Sequence, residues 1–250
     1  MKKKILPLIF VLALLLSGSV LTSVIAQPRI PGVVAGNWLK YGDVSVYWNC
    51  SDPSQPIPHW LEELEEMEYG IISIVHVYLT NVTCELRNHF KNGTDLTTGG
   101  YVDIDTGEGE NLTMYVISAN LDKDHAIYTS GDNADLKINE TITRTYPDGP
   151  RDTNHINITA ETSSPDFYQY ISINYYWDRS TGVLAELTQE STTRYQGVNS
   201  TFSMLIRISE SNVWVIPEYP TLTPILLILI LTVAITIYKR RRLSHLLHSC

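Results

Sequence analysis

Hydrophobic and polar positions alternate with a period of two through most of this chain. Ile171, Ile173, Tyr175 and Trp177 share one side of a strand, residues 178–182 turn, and Val183, Ala185 and Leu187 return on the next. Phe202, Met204, Ile206 and Ile208 repeat the period in a last strand that runs on to Trp214. Upstream, residues 38–48 read as two short extended pieces around Gly42 and Asp43. Residues 71–82 are apolar on both sides, as in a central strand, with His76 a satisfied core histidine. Residues 83–104 form a hairpin around Asn92 and Gly93, residues 114–121 and 125–129 a second, and residues 136–146 and 154–160 continue the alternation. One segment breaks the pattern: HWLEELEEMEYG puts Trp60, Leu61, Leu64 and Met67 on one stripe opposite five glutamates, which predicts a helix of about ten residues ended by Gly70. Eight to eleven strands with one short amphipathic helix define a mainly β domain, a meandering antiparallel sheet able to curve as a half-barrel around the helix.

Both ends carry a different pattern. Lys2, Lys3 and Lys4 precede an apolar stretch that finishes at Val24-Ile25-Ala26, the form of a signal peptide cut after Ala26. Residues 222–238 carry no charge and are followed by Lys239, Arg240, Arg241 and Arg242, the pattern of a transmembrane helix whose basic flank stays in the cytoplasm. The expected organisation is therefore a signal peptide at 1–26, an extracellular β-rich domain at 27–215, a proline-rich spacer at 216–221, a transmembrane helix at 222–238 and a cytoplasmic tail at 239–250.

This topology changes the reading of the composition. Seven of the 18 Lys and Arg residues lie in the two flanks, so the exported part has 11 basic against 27 acidic residues, a formal charge of −16. Such a surface excludes nucleic acid as a partner. Asn-X-Ser/Thr occurs seven times, at Asn49, Asn81, Asn92, Asn111, Asn139, Asn157 and Asn199, where 14 Asn and 44 Ser or Thr would give roughly two or three by chance. An exported chain with these acceptors is a candidate N-glycoprotein. Cys50 and Cys84 are the exported cysteines; an oxidising compartment favours a bridge between them, with two free thiols as the alternative.

Catalytic signatures are missing: no His-Glu-X-X-His, Gly-X-Ser-X-Gly, phosphate-binding loop or dinucleotide fingerprint is present, and no cofactor is implied. In DIDTGEGEN, Asp103, Asp105, Glu108 and Glu110 are hard oxygen donors, but Gly107 stands where the fifth position of an EF-hand loop needs a ligand, so a polar turn is expected. Tyr168, Tyr170, Tyr175, Tyr176 and Trp177 crowd one hairpin and, on a curved sheet, are the candidate lining of an apolar groove.

Residues 216–242, with IPEYP, an apolar helix and KRRR, resemble the tripartite PEF-CTERM signal of archaeal surface proteins, with Tyr219 in place of its Phe. That resemblance implies anchoring and archaeosortase processing. GNWLKYG, NVT, INET and YYWDRSTGVLAE resemble stretches of uncharacterised archaeal exported proteins, and the Asp-X-X-Thr-Gly hairpin is similar to those of LolA- and LppX-type curved-sheet carriers. The expectation is a single-pass, glycosylated cell-surface protein of non-enzymatic role, in contact with the membrane and with glycosylating or sorting enzymes. The alternative is a carrier of lipid or another hydrophobic ligand.

Overall fold

The computed structural model describes residues 28–214. The expected signal peptide, spacer, transmembrane helix and tail lie outside the described residues. Ten strands form one sheet: β1 (Trp38–Cys50), β2 (Met67–Tyr78), β3 (Asn81–Phe90), β4 (Asp95–Asp103), β5 (Gly109–Glu110), β6 (Glu140–Tyr146), β7 (Gly149–Ser164), β8 (Phe167–Asp178), β9 (Leu184–Tyr195) and β10 (Val198–Ser211). A single helix, α1 (His59–Glu66), precedes β2. The spatial order is β5-β4-β3-β2-β1-β10-β9-β8-β7-β6, with every strand pair antiparallel. Two meanders thus meet where the first and last strands pair at the centre.

The order puts β5 and β6 on opposite edges, so residues 111–139 must cross the whole sheet. They cross its inner face and become the core. Leu112, Val116, Ile117, Leu121, Ile127, Tyr128 and Ile138 of the crossing segment are fully buried against Leu39, Ile72, Val82, Ile156, Trp177 and Ile208 from the strands. The predicted hairpin at 114–121 and 125–129 is therefore not formed; its alternation came from burial under a sheet rather than from a ladder, and only isolated bridges such as Val116 with Val183 occur there.

A buried irregular segment must find partners for its backbone. Ile117 N–H donates to Gly182 C=O at 2.9 Å and Leu184 N–H to Tyr115 C=O at 2.8 Å. Side chains supply the remainder. Trp177 Nε1–H donates to Met114 C=O at 2.7 Å, Asn154 Nδ2–H to Leu121 C=O at 2.8 Å, and Tyr128 Oη accepts from Met114 N–H at 3.0 Å. Gly182, at φ +72°, passes so close that a Cβ would lie 2.1 Å from Ile117 O, so the turn between β8 and β9 admits only glycine. Asp178 shapes that turn, its Oδ1 accepting from Ser180 Oγ, Thr181 N–H and Thr181 Oγ1.

Several sequence expectations need correction. Gly42 is a bulge inside β1, where the register against β10 shifts, and not a break between two pieces. The helix is eight residues long, and Gly70 lies within β2, paired with Tyr41 and Asn88. The strand read at 71–82 ends at Tyr78, and His76 is exposed at an irregularity opposite Thr83. The helix covers only part of the inner face, with Leu61 buried and Trp60 edge-on to Phe202 at 5.3 Å.

The expected bridge is absent: both thiols are free. Cys84 faces Ile74, one residue beyond the Ser73–Trp38 pair that opens β1. Cys50 closes the same strand twelve positions on, roughly 40 Å along it at about 3.3 Å per residue, whereas a disulfide needs Cα atoms about 5.5 Å apart. Burial pushes the Cys84 thiol up to about 11, which keeps it protonated and unreactive at neutral pH.

Two measurements follow. Alkylation of the native protein with peptide mapping will leave Cys84 unmodified until denaturant is added, and no peptide pair will show a Cys50–Cys84 link. Trp177→Phe keeps an aromatic side chain but removes the indole N–H that Met114 C=O accepts; it will lower stability by about 1–3 kcal/mol, seen as a lower urea midpoint at unchanged m.

Candidate functional site

The pleat sends alternate residues to the outer face, and on the β6–β10 half they form a row. Glu140, His155, Tyr176, Glu186, Arg207 and Asp43 are successive cross-strand partners on β6, β7, β8, β9, β10 and β1. His155 stacks on Tyr176 with centroids 4.5 Å apart, and its two ring nitrogens face Glu140 Oε1 at 3.1 Å and Asn174 Oδ1 at 3.0 Å.

The far end of the β6–β7 hairpin adds a second layer. Arg144 lies over the Tyr176 ring at 4.2 Å and donates to Glu186 Oε1 at 2.6 Å. Arg207 Nε stands 3.4 Å from Glu186 Oε2, and the same guanidinium covers the Tyr146 ring at 4.9 Å and donates to Thr145 C=O. Tyr146 packs on Trp214 at 5.3 Å, while Arg151 lies over Trp214 at 5.0 Å and donates to its carbonyl at 3.1 Å. Glu186 is only 3% exposed, so its charge is compensated by two guanidinium groups rather than by water. Burial, then the negative charge of Glu186, holds the Tyr146 phenol well above its ordinary value, so it remains neutral.

This cluster grips the last described residue, from which the chain continues toward the apolar run at 222–238. Only Glu186 Oε1 accepts a hydrogen bond, from Arg144; Glu186 Oε2 and the Nε atoms of Arg144 and Arg207 are buried without one, so the pair is held by charge as much as by hydrogen bonding. Sequence reasoning missed it. Arg144, Glu186 and Arg207 lie far apart in the chain, and each looks like an ordinary polar residue in the outward phase of a strand.

The five aromatic residues expected to line a groove are divided by the pleat. Tyr175 and Trp177 stack on the inner side at 5.2 Å, within or against the core. Tyr168, Tyr170 and Tyr176 occupy the alternate, outward positions of β8. An apolar pocket of about 160 Å³ remains beneath α1, between Tyr41, Leu64, Met67, Leu86, Tyr115 and Ile206. A larger cleft, about 520 Å³, opens on the outer face beside Trp38, Lys40, Tyr69, Glu85 and Arg87. Lys40 pairs with Glu210 at 2.7 Å and lies over the Tyr69 ring at 4.9 Å.

The acidic loop uses its oxygens to turn the chain. Asp103 Oδ1 accepts from the N–H groups of Asp105 and Thr106, Asp103 Oδ2 from the Thr80 hydroxyl, and Asp105 Oδ1 from Thr129 while facing Arg29 at 3.8 Å. Glu108 and Glu110 point into solvent. Among the described residues no three or more His, Cys, Asp or Glu side chains are placed to share a metal ion.

The seven sequon asparagines behave alike: Asn49, Asn81, Asn92, Asn111, Asn139, Asn157 and Asn199 are all exposed. Asn92 sits at the tip between β3 and β4 with its Oδ1 accepting from Thr94 N–H and Oγ1. Asn157 Nδ2 donates to Asn174 Oδ1 at 2.9 Å, and Asn139 Oδ1 accepts from Asn157 N–H at 2.8 Å. No family model matches this chain, and no curated protein is similar enough to it to count as a relative.

The buried ion-pair cluster yields a stability test. Glu186→Ala leaves two partly exposed guanidinium groups facing each other without their carboxylate and will cost about 1.5–3 kcal/mol. Arg144→Ala leaves Glu186 its Arg207 partner and will cost less; the double variant will be non-additive in urea unfolding.

Proposed function

We propose that this chain is an exported, single-pass, N-glycosylated cell-surface protein whose β domain serves as a non-enzymatic envelope or binding module. The observation that carries the reading is the exposure of every one of its seven sequon asparagines. It is supported at the ends by the Lys2–Lys4 and apolar leader and by the uncharged run at 222–238 with its basic flank. The likeness of residues 216–242 to a PEF-CTERM ending, with Tyr219 in place of its Phe, supports a sorting role for the spacer 216–221 beside anchoring. A carrier of lipid would need an open apolar hollow. The inner face is instead filled by residues 111–139, and the 160 Å³ left beneath α1 is of the size that holds one benzene-sized molecule.

Protease treatment of intact cells, followed by peptide mapping of the membrane fraction, tests topology and glycosylation together. The expected result is digestion within residues 28–214, protection of 239–250, and a glycan mass on several of the seven asparagines. A domain resistant to protease until the cells are lysed, or seven bare asparagines, would overturn the reading.

A further inference from the structure

The sheet is open, and both of its outer edges expose unpaired backbone. On β4 the neighbour β5 pairs only at Val102 and Asn111 bridges to Tyr101, so residues 95–100 have no ladder on that side. Hydrogen bonding of Phe90 N–H to Thr94 C=O fixes the phase: Asp95, Thr97, Gly99 and Tyr101 turn their backbone groups outward. On β7 the neighbour β6 ends its pairing at His155, so residues 156–164 are free on that side, with Thr159, Glu161 and Ser163 outward. Neither stretch contains Pro or Lys, and each carries one charge, Asp95 and Glu161. Such edges template pairing with another chain, and soluble proteins block them.

Four sequons stand at these two edges. Asn92 lies three residues before Asp95, and Asn111 donates its Nδ2–H to Gly99 C=O at 3.0 Å and bridges to Tyr101. Asn139 immediately precedes β6, and its Oδ1 caps the outward N–H of Asn157, the residue at which the free half of β7 begins. A glycosylated Asn111 retains one Nδ2–H for Gly99, so the modification and the contact are compatible. By contrast Asn81 and Asn199 lie on strands paired on both sides.

We infer that N-glycans at Asn92, Asn111, Asn139 and Asn157 guard the open edges of β4 and β7, and that the bare chain pairs edge to edge with a second copy of itself. The inference rests on the glycoprotein reading. Each edge can pair antiparallel with the same edge of a second copy, and a chain with two such edges can join two partners, so the product is a dimer or a larger oligomer.

The test is sedimentation velocity of the full chain in detergent, preceded by intact mass on the same samples. The glycosylated chain, and a glycosylated N81Q/N199Q variant, will sediment as monomers. The unmutated chain from a host lacking the oligosaccharyl-transferase will show at least a twofold rise in weight-average mass at the same concentration. In that host T97P/E161P, which removes one outward N–H from each edge without touching the β3 or β8 ladder, will return to monomer. A monomeric bare chain, or association of the bare chain that T97P/E161P leaves unchanged, overturns the inference alone. Bare asparagines at the four edge sites in the glycosylating host overturn the glycoprotein reading at those sites, and the inference with it.

Discussion

The crossing of the sheet by residues 111–139 is the constraint on which the rest of the structure depends. With β5 and β6 at opposite edges, the link between them must pass from one edge to the other. It touches the β4–β5 loop again at Thr129 and reaches β7 at Asn139, so it has slack to fold irregularly and fill space. It does so on the inner face, where water cannot satisfy its backbone. The hydrogen bonds from Trp177, Asn154 and Tyr128 are therefore as necessary as the apolar side chains around them. The tight passage of Ile117 over Gly182 follows from the same crossing.

Filling one face moves functional capacity to the other. The inner side has no room for more than a small apolar molecule, whereas the outer side bears the polar row, the cleft beside Trp38 and the acceptor asparagines. Three of the 11 basic residues within 27–215, Arg144, Arg151 and Arg207, are gathered around Glu186, Tyr146 and Trp214. They fix the orientation of the chain as it leaves the sheet.

The alternation of Ile171 to Trp177 and of Phe202 to Ile208 made the strands legible, because a half-buried ladder is what a period of two encodes. Ten strands and one helix fall within the expected range. The order of the strands was not legible: pairing of β1 with β10 joins positions some 160 residues apart, and nothing local marks it. Residues 114–129 were misread because apolar residues under a sheet can alternate without forming a ladder. The five aromatics near β8 were grouped by proximity in sequence, although the pleat sends neighbours to opposite faces. The Cys50–Cys84 pairing failed for the same reason that the strand order was hidden, since compartment chemistry says that thiols oxidise but not that they meet. The exposure of the sequons was legible, as Asn139 and Asn157 already stood in the polar phase of their segments.

An open sheet follows from this topology. Closure into a barrel would require β5 to ladder with β6, but β5 is two residues long and its chain departs at once into the crossing. The edges of β4 and β7 are thus a consequence of how the core is filled. Shortening β7 to the length of β6 would remove one edge and also the partner of residues 167–175 on β8, so the long free half is kept by the needs of its other side. Pro and Lys are absent from both edges, so neither of the usual backbone or charge blocks stands on them. The placement of four acceptor asparagines at those points connects the buried crossing to the chemistry of the surface.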